Sequence, residues 1–231
     1  MRDVPWWGVI SAAAAPVLLI GGWTLAADLQ PRFDPVADTV SALAAIGATD
    51  RWVMTLTFLL VGACYIVTAL ALRPAKIPGR LVLTGGAIAG MLVAANPEHP
   101  GGFGSVPHFV WASIGLAGLT TWPAWASRRG PAVPWGLRPA PAAAAVAVQF
   151  ALLAWFGTEL IMGGHQAGLA ERVVGVAQAG WPLLAVLSCL RPAPVAVTAL
   201  RWSHAGQHAK DRALQVDRPV EHHARRADGH D

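Results

Sequence analysis

Charged residues are scarce in this chain, and the middle of each long apolar stretch has none. Asp, Glu, Lys and Arg make up 13% of the 231 residues, whereas hydrophobic residues make up 55%. Ion-coupled transporters and proton pumps usually place ionisable groups at membrane depth, so a small-solute transporter is disfavoured. The deepest polar side chains are neutral, and we expect the two glutamines among them to hydrogen bond between helices: Thr55, Thr57, Thr68, Gln149 and Gln178.

Cysteine is rare, and the short motifs of common hydrolases are missing. Cys64 and Cys189 fall inside apolar stretches rather than in loops, so no disulfide framework is inferred. The patterns HExxH, GxSxG and CxxC do not occur. Because these motifs mark metalloproteases, serine hydrolases and thiol–disulfide enzymes, the sequence assigns no enzyme class and leaves open whether the protein is an enzyme.

Long apolar stretches are what the chain has in abundance. A spanning helix needs about 20 apolar residues, or somewhat fewer when polar side chains flank it. We therefore predict an all-α integral membrane bundle of six transmembrane helices, formed by residues 1–195. The third stretch contains the close-packing pattern Gly86-Ala-Ile-Ala-Gly90, which favours a position inside the bundle. The six stretches lie near residues 7–26, 52–72, 81–95, 109–126, 142–156 and 173–190.

The connections between these stretches alternate in charge. Most of the 17 Lys and Arg residues lie in the N-terminal segment, in every second connection or in the tail. The exceptions are Arg32, Arg51 and Arg172. Lys and Arg accumulate on the cytoplasmic side, so both termini are predicted to be cytoplasmic in a multi-pass protein of the cell membrane. The net charge of +4 is then explained by the basic cytoplasmic connections and their attraction to anionic lipid, and not by nucleic-acid binding. The predicted outer side carries most of the acids: Asp28, Asp34, Asp38, Asp50, Glu98, Glu159 and Glu171.

The segment 196–231 is a basic, His-containing tail without sustained apolar periodicity. Such a segment buries too little apolar surface to offset its ordering entropy, so we predict a disordered cytoplasmic tail. The pairs His204 with His208 and His222 with His223 have spacings that suit metal chelation. A solvated tail beside anionic lipid is the favoured interpretation.

The first outer loop is predicted to contain a short helix lying at the membrane interface. Asp34 is a suitable N-cap, Pro35 suits the first helical position and Gly47 suits the closing residue. An apolar stripe recurs at helical spacing, and Asp34, Asp38 and Ser41 cluster on the opposite side. Asp50 is then expected to cap the second spanning helix. The stripe consists of Val36, Val40 and Leu43.

Ionisable side chains gather at the predicted outer ends of the helices. Zinc is bound by His and carboxylate ligands and can activate a water molecule, so His99, His108 and His165 are candidate metal ligands. No cofactor is firmly implied. A Ser–His–Asp arrangement is a second possibility, and Ser105 is a suitable cap before His108. The candidate catalytic residues are Asp38, Ser41, Glu98, His108 and His165, with Glu159, Glu171 and Arg172 nearby.

Each candidate also has a structural interpretation. His108 would hydrogen bond a backbone carbonyl, His99 would be solvated in a turn, and Glu171 and Arg172 would pair or orient the last helix. Two functions are therefore carried forward. The first is binding of a lipid or protein partner through an outward-facing polar pocket. The second is a membrane-embedded hydrolase or transferase acting on a lipid-like substrate. The sequence does not give an oligomeric state.

Three segments resemble a family of bacterial membrane proteins, the "domain of unknown function 998" family. The first runs from Asp38 to Trp52 as DTVSALAAIGATDRW. The second is the acid after a Pro in Ala95-Asn96-Pro97-Glu98, followed by His108; the family tends to have Asp after a Phe-Pro pair there. The third is Gly168-Leu-Ala-Glu-Arg172. The resemblance covers nearly all of residues 5–192 and implies a six-span integral membrane protein with no assigned activity.

Overall fold

The computed structural model describes residues 4–99 and 105–190, which belong to one compact unit. The predicted all-α class is confirmed, since these residues form helices and no strand. The predicted tail, residues 196–231, lies outside the described residues. The helices are α1 (Trp6–Asp28), α2 (Trp52–Ala71), α3 (Ile77–Ala95), α4 (Val106–Ala126), α5 (Pro139–Met162) and α6 (Ala167–Leu190), with 3-10 turns at Ser41–Ala44 and Trp135–Leu137.

Most of these helices are long and apolar enough to cross a bilayer. Within the described ranges, 5 helices meet that description, namely α1, α2, α3, α5 and α6. Helix α4 has 21 residues, which suffices in length, but its Pro, Thr, Gly and Trp residues lower its mean hydropathy. The composition indicates a membrane-embedded protein.

Three helices extend well beyond their apolar stretches. Helix α6 begins at Ala167, before the predicted start at 173, and α3 begins at Ile77 with Pro78 in its first turn. Helix α5 begins with Pro139, a residue suited to the first helical position because the missing N–H would have no partner there. Gly163 follows its last residue, Met162, and has a φ of 64°, the left-handed conformation common just after a helix.

Helices that follow each other along the chain pack side by side, and α6 packs against α1, so the bundle is a closed ring. At one end of the ring, the Ile46 N–H donates to the Glu98 carbonyl over 2.8 Å. We call this the acidic end, for the residues Asp28, Asp34, Asp38, Asp50 and Glu98. At the other end, the Lys76 N–H donates to the Ala126 carbonyl over 3.1 Å. We call this the basic end, for the residues Arg73, Lys76, Arg128, Arg129 and Arg138.

The glycines of α3 produce a close contact with α4. A Cβ added at Gly86 would lie 3.1 Å from the Leu119 nitrogen, and one added at Gly118 would lie 2.9 Å from the Gly86 Cα. Small residues allow helix backbones to approach closely in membranes, where no hydrophobic effect drives helices together. The close-packing role predicted for Gly86 is confirmed.

Large side chains fill the half of the ring nearest the basic end. Trp122 lies one turn before the end of α4 and is 1% exposed, and Leu83 lies early in α3 and is 1% exposed. Val186 is fully buried near the end of α6. Leu72 and Leu137, from the connections after α2 and before α5, complete this packing. We call this closely packed part the solid half of the ring.

The prediction of a helix in the first outer loop is largely wrong. Residues 34–40 form turns, and only Ser41–Ala44 is helical, as a single 3-10 turn. Asp34 does accept hydrogen bonds from the backbone N–H groups of Val36 and Ala37, at 2.8 and 3.4 Å. The segment does not continue as a helix because the carbonyls of Val36 and Ala37 bond to another helix, as described below.

The prediction that Asp50 caps α2 is also wrong. Arg51 precedes the first helical residue, and no side chain within residues 4–99 and 105–190 caps that end. The Asp50 carboxylate instead accepts a hydrogen bond from the Trp52 indole N–H at 3.1 Å. Its backbone has a φ of 47°, a left-handed conformation that Asp tolerates better than most residues.

Candidate functional site

The first outer loop docks on the beginning of α6. The N–H groups of Gly168 and Leu169 donate to the carbonyls of Ala37 and Val36, at 3.3 and 2.9 Å. The first N–H groups of a helix have no partner within it, so the loop satisfies two of them. The contact is tight: a Cβ added at Gly168 would lie 2.1 Å from the Asp38 carbonyl oxygen. Only glycine fits there without movement of the loop.

Arg172 holds the same loop from one turn further along α6. One guanidinium nitrogen, Nη1, donates to the carbonyls of Pro35 at 2.7 Å, Asp38 at 3.1 Å and Gly168 at 2.9 Å. The guanidinium also lies over the rings of Trp23, at 6.0 Å, and Phe33, at 5.5 Å, in the range of cation–π attraction. Nη2 is buried and has no hydrogen-bond partner among the residues that the structure describes. Arg172 thereby joins α1, the loop and α6.

Glu171 reaches the next segment of the loop. Its carboxylate accepts hydrogen bonds from the Val40 N–H at 2.6 Å and from the Ser41 hydroxyl at 3.2 Å. These groups begin the 3-10 turn Ser41–Ala44, so Glu171 acts as an N-cap supplied by a distant helix. Glu171 and Arg172 form no ion pair with each other in the part of the chain described here. They orient the loop on α6 instead.

His108 forms an ion pair with Glu98 near the loop. The distance from its Nε2 to a Glu98 carboxylate oxygen is 3.1 Å, and its Nδ1 lies 2.9 Å from the Asn96 carbonyl oxygen. The predicted hydrogen bond of His108 to a backbone carbonyl is thus confirmed. The Ser105 hydroxyl accepts from the His108 N–H at 3.4 Å, which confirms Ser105 as the cap of α4.

Other candidate residues lie apart from this pair. The Asp38 carboxylate accepts from the Asp34 N–H at 2.9 Å, within the loop. His99 and His165 are exposed, and the Glu159 carboxylate accepts from the Gln166 N–H at 3.0 Å. Across residues 4–99 and 105–190, no group of three or more His, Cys, Asp or Glu side chains could hold a metal ion.

A cavity of about 250 Å³ lies inside the ring, between these polar groups and the solid half. Its polar end consists of Thr39, Ser41, Glu98, His108 and Glu171. From His108 to Leu119, both of which line it, α4 rises roughly 16 Å at 1.5 Å per residue, so the cavity reaches about the middle of the ring. The structure thus brings together three candidate residues, Ser41, Glu98 and His108, with Glu171.

Apolar side chains form most of the wall below that end. Trp23, Phe58 and Val174 are among them, and glycines at Gly90 and Gly175 widen the space. Sequence reasoning missed these residues because a helix interior and a cavity wall have the same composition. The one signal available was the number of glycines in the apolar stretches.

Two polar side chains lie at the deep end of the cavity. Gln178 donates from Nε2 to the Leu116 carbonyl at 3.1 Å and to the Thr120 hydroxyl at 3.0 Å, which confirms its predicted bond between helices. Tyr65, 3% exposed, also lines this end. The same prediction is wrong for Gln149, because its buried amide oxygen has no partner among the described residues.

The arrangement favours binding over nucleophilic chemistry. Both ring nitrogens of His108 have partners, so neither is free to accept a proton from Ser41. The Ser41 hydroxyl already donates to Glu171. The polar end is held in place by this network, and the remaining wall offers apolar contact. Such a cavity suits an amphipathic molecule.

Comparison with known families adds one finding. The model of the family described as "Protein of unknown function (DUF998)" matches residues 12–188, which is most of the chain. The chain belongs to this family. The match covers the docked loop, the cavity and the helices from within α1 to the last residues of α6. The family has no assigned function, so its name adds no chemistry to the site. Neither a curated protein nor a solved structure matches the chain.

Proposed function

We propose that this DUF998 protein is a six-span membrane protein that binds one lipid chain in its ring, with the lipid's polar part at the acidic end. The observation that carries the proposal is the cavity itself, which has an apolar wall and one polar end. Apolar contact supplies most of the affinity in pockets of this kind, and a few polar groups fix orientation. The volume of about 250 Å³ is near the lower limit for ligand pockets and suits a single chain.

The polar end favours a donor-bearing headgroup. Glu98 and Glu171 contribute two carboxylates, against one imidazole from His108. Carboxylates accept hydrogen bonds only, and those made to ionised groups are stronger than neutral ones. Both oxygens of Glu171 already accept hydrogen bonds from the loop, so a hydroxyl or amine donor of the headgroup would meet the second carboxylate oxygen of Glu98.

The acidic end faces the outside of the cell in this proposal, because Lys and Arg of the basic end mark the cytoplasmic side. The prediction can be checked with single cysteines at exposed positions of the two ends. Cysteine replacing Arg129 is expected to react with a membrane-impermeant maleimide only after permeabilisation, whereas cysteine replacing Asp28 reacts in intact cells. The native Cys64 and Cys189 lie within α2 and α6, so the unsubstituted protein is the background control. Labelling of position 129 in intact cells would contradict this orientation.

Filling the cavity should abolish lipid binding. Gly90 lines the cavity, and a Cβ added there meets no atom within 4 Å, so Gly90→Leu places a side chain into free space. Replacing a helical glycine also favours the helix by roughly 0.5–1 kcal/mol, so folding should not suffer. We expect the variant to lose the lipid that co-purifies with the wild-type protein, measured by mass spectrometry of protein released from detergent.

Gly85→Leu is the matched control for this experiment. Gly85 lies on the same helix, has no atom within 4 Å of an added Cβ, and does not line the cavity. It should retain the lipid at wild-type stoichiometry. Equal lipid content in the Gly90 and Gly85 variants, or a wild-type protein without bound lipid, would refute the proposed function.

A further inference from the structure

The seam between α4 and α5 is closed deep in the ring and open near the acidic end. Thr120, Ser113 and Phe109 lie on the same side of α4, at helical spacing, facing away from α3. Thr120 is fully buried, whereas Ser113 is exposed and Phe109 is 69% exposed. Exposure therefore increases along one helix face toward the acidic end.

The exposed residues of this seam are also part of the cavity wall. These exposed residues are Phe109 and Ser113 of α4. From α5 the cavity is lined by Phe156, which is buried, and by Leu160, which is half-buried. A side chain that borders a cavity and is also exposed on the outside of a bundle marks an opening. The same region of α5 packs on α6 through Phe156 and Val174, so the opening lies on the α4 side of α5.

The opening is at membrane level. Phe109 and Leu160 on its borders are apolar side chains within helices, and α5 is among the helices long and apolar enough to cross a bilayer. Only 11% of its apolar window is buried within the bundle, so the helix is available to lipid on most sides. A molecule that passes between Phe109 and Leu160 therefore comes from the hydrocarbon region, where acyl chains lie, and not from water.

We infer that the cavity is loaded sideways from the outer leaflet of the bilayer, through the α4–α5 seam, by one acyl chain of a resident membrane lipid. This inference rests on the proposed function and names its ligand class. The headgroup stays at the acidic end, beside Glu98, His108 and Glu171, and only one chain enters. The small cavity accommodates one chain of a two-chain lipid, and the opening in the seam allows the second chain to remain in the bilayer.

A reversible block of the seam tests the inference. In a protein with Cys64 and Cys189 replaced by Ala, Ser113→Cys is modified with a benzyl thiosulfonate, which attaches a bulky group through a disulfide. The protein is loaded in vesicles of phosphatidylethanolamine and phosphatidylglycerol with deuterated chains, then modified and moved to unlabelled vesicles. Mass spectrometry follows the loss of deuterated lipid. We expect modification to slow exchange at least several-fold, and reduction of the disulfide to restore it.

Ile114→Cys is the matched control, because Ile114 is 46% exposed on the same helix and does not line the cavity. Its modification should leave exchange close to the unmodified rate. If modification at Ser113 leaves the exchange rate unchanged, or if modification at Ile114 slows exchange equally, sideways loading is refuted and lipid binding still stands. A protein without deuterated lipid at the start would refute the proposed function together with this inference.

Discussion

Arg172→Ala is expected to lower the free energy of unfolding by about 3 kcal/mol, because it removes the donor shared by three carbonyls and leaves them without that partner. The carbonyls of Asp38 and Gly168 are partly buried at this junction, so water replaces the lost donor only in part. The variant also loses the contact of the guanidinium with Trp23 and Phe33. The midpoint of thermal unfolding in detergent measures the effect.

A second measurement separates release of the loop from general destabilisation. The loop contains Arg32 and Arg51, both trypsin sites, and local opening raises the rate of cleavage even when the bundle stays folded. We expect fast cleavage in Arg172→Ala and intermediate cleavage in Arg172→Lys, which keeps the charge but not the planar donor array.

Arg51→Ala is the matched control for charge, since the Arg51 side chain makes no hydrogen bond within the described residues. It should unfold close to the wild-type temperature. If Arg172→Ala also unfolded at that temperature and resisted trypsin, Arg172 would not be the residue that holds the loop.

Gly168→Ala is expected to destabilise the protein by about 2 kcal/mol, the usual range for a group forced into filled space. The added Cβ would meet a backbone carbonyl oxygen, that of Asp38, which cannot turn aside as a side chain can. The loop must move, and the two hydrogen bonds that it accepts from Gly168 and Leu169 weaken. Thermal unfolding and lipid content should both fall.

Gly180→Ala is the control on the same helix. A Cβ added at Gly180 meets no atom within 4 Å, so only the gain in helix propensity remains, and the unfolding temperature should stay or rise. A Gly168→Ala protein as stable as Gly180→Ala would show that the loop gives way without cost.

The helices could be predicted from the sequence, but their ends could not. Apolar composition marks the part of a helix that lies in hydrocarbon, whereas the helix continues as long as its backbone groups find partners. The first turns of α6, at Ala167 and Gly168, are small and polar-flanked, so the apolar stretch gave no sign of them. The glycine contact between α3 and α4 could be predicted, because close approach requires small residues at fixed spacing.

The loop and the site depend on contacts between residues far apart in the sequence, which sequence patterns alone do not reveal. Val36, Val40 and Leu43 have helical spacing, yet the carbonyls of residues 36 and 37 bond to α6, more than a hundred positions away. Glu171 and Arg172 were noticed only as neighbours, although each reaches a different part of the loop. His108 with Glu98 was closer to prediction, because both lie where α3 ends and α4 begins.

The solid half of the ring has a consequence for the passage of protons and ions across the membrane. Trp122, Leu83 and Val186 close the interior on the side of the basic end, and the Gln178 bond to Thr120 ties α4 to α6 above them. We therefore expect protons and ions to meet an apolar barrier on this side of the cavity. A protein closed in this way is expected to bind a ligand in its cavity without discharging the electrochemical gradient across the membrane.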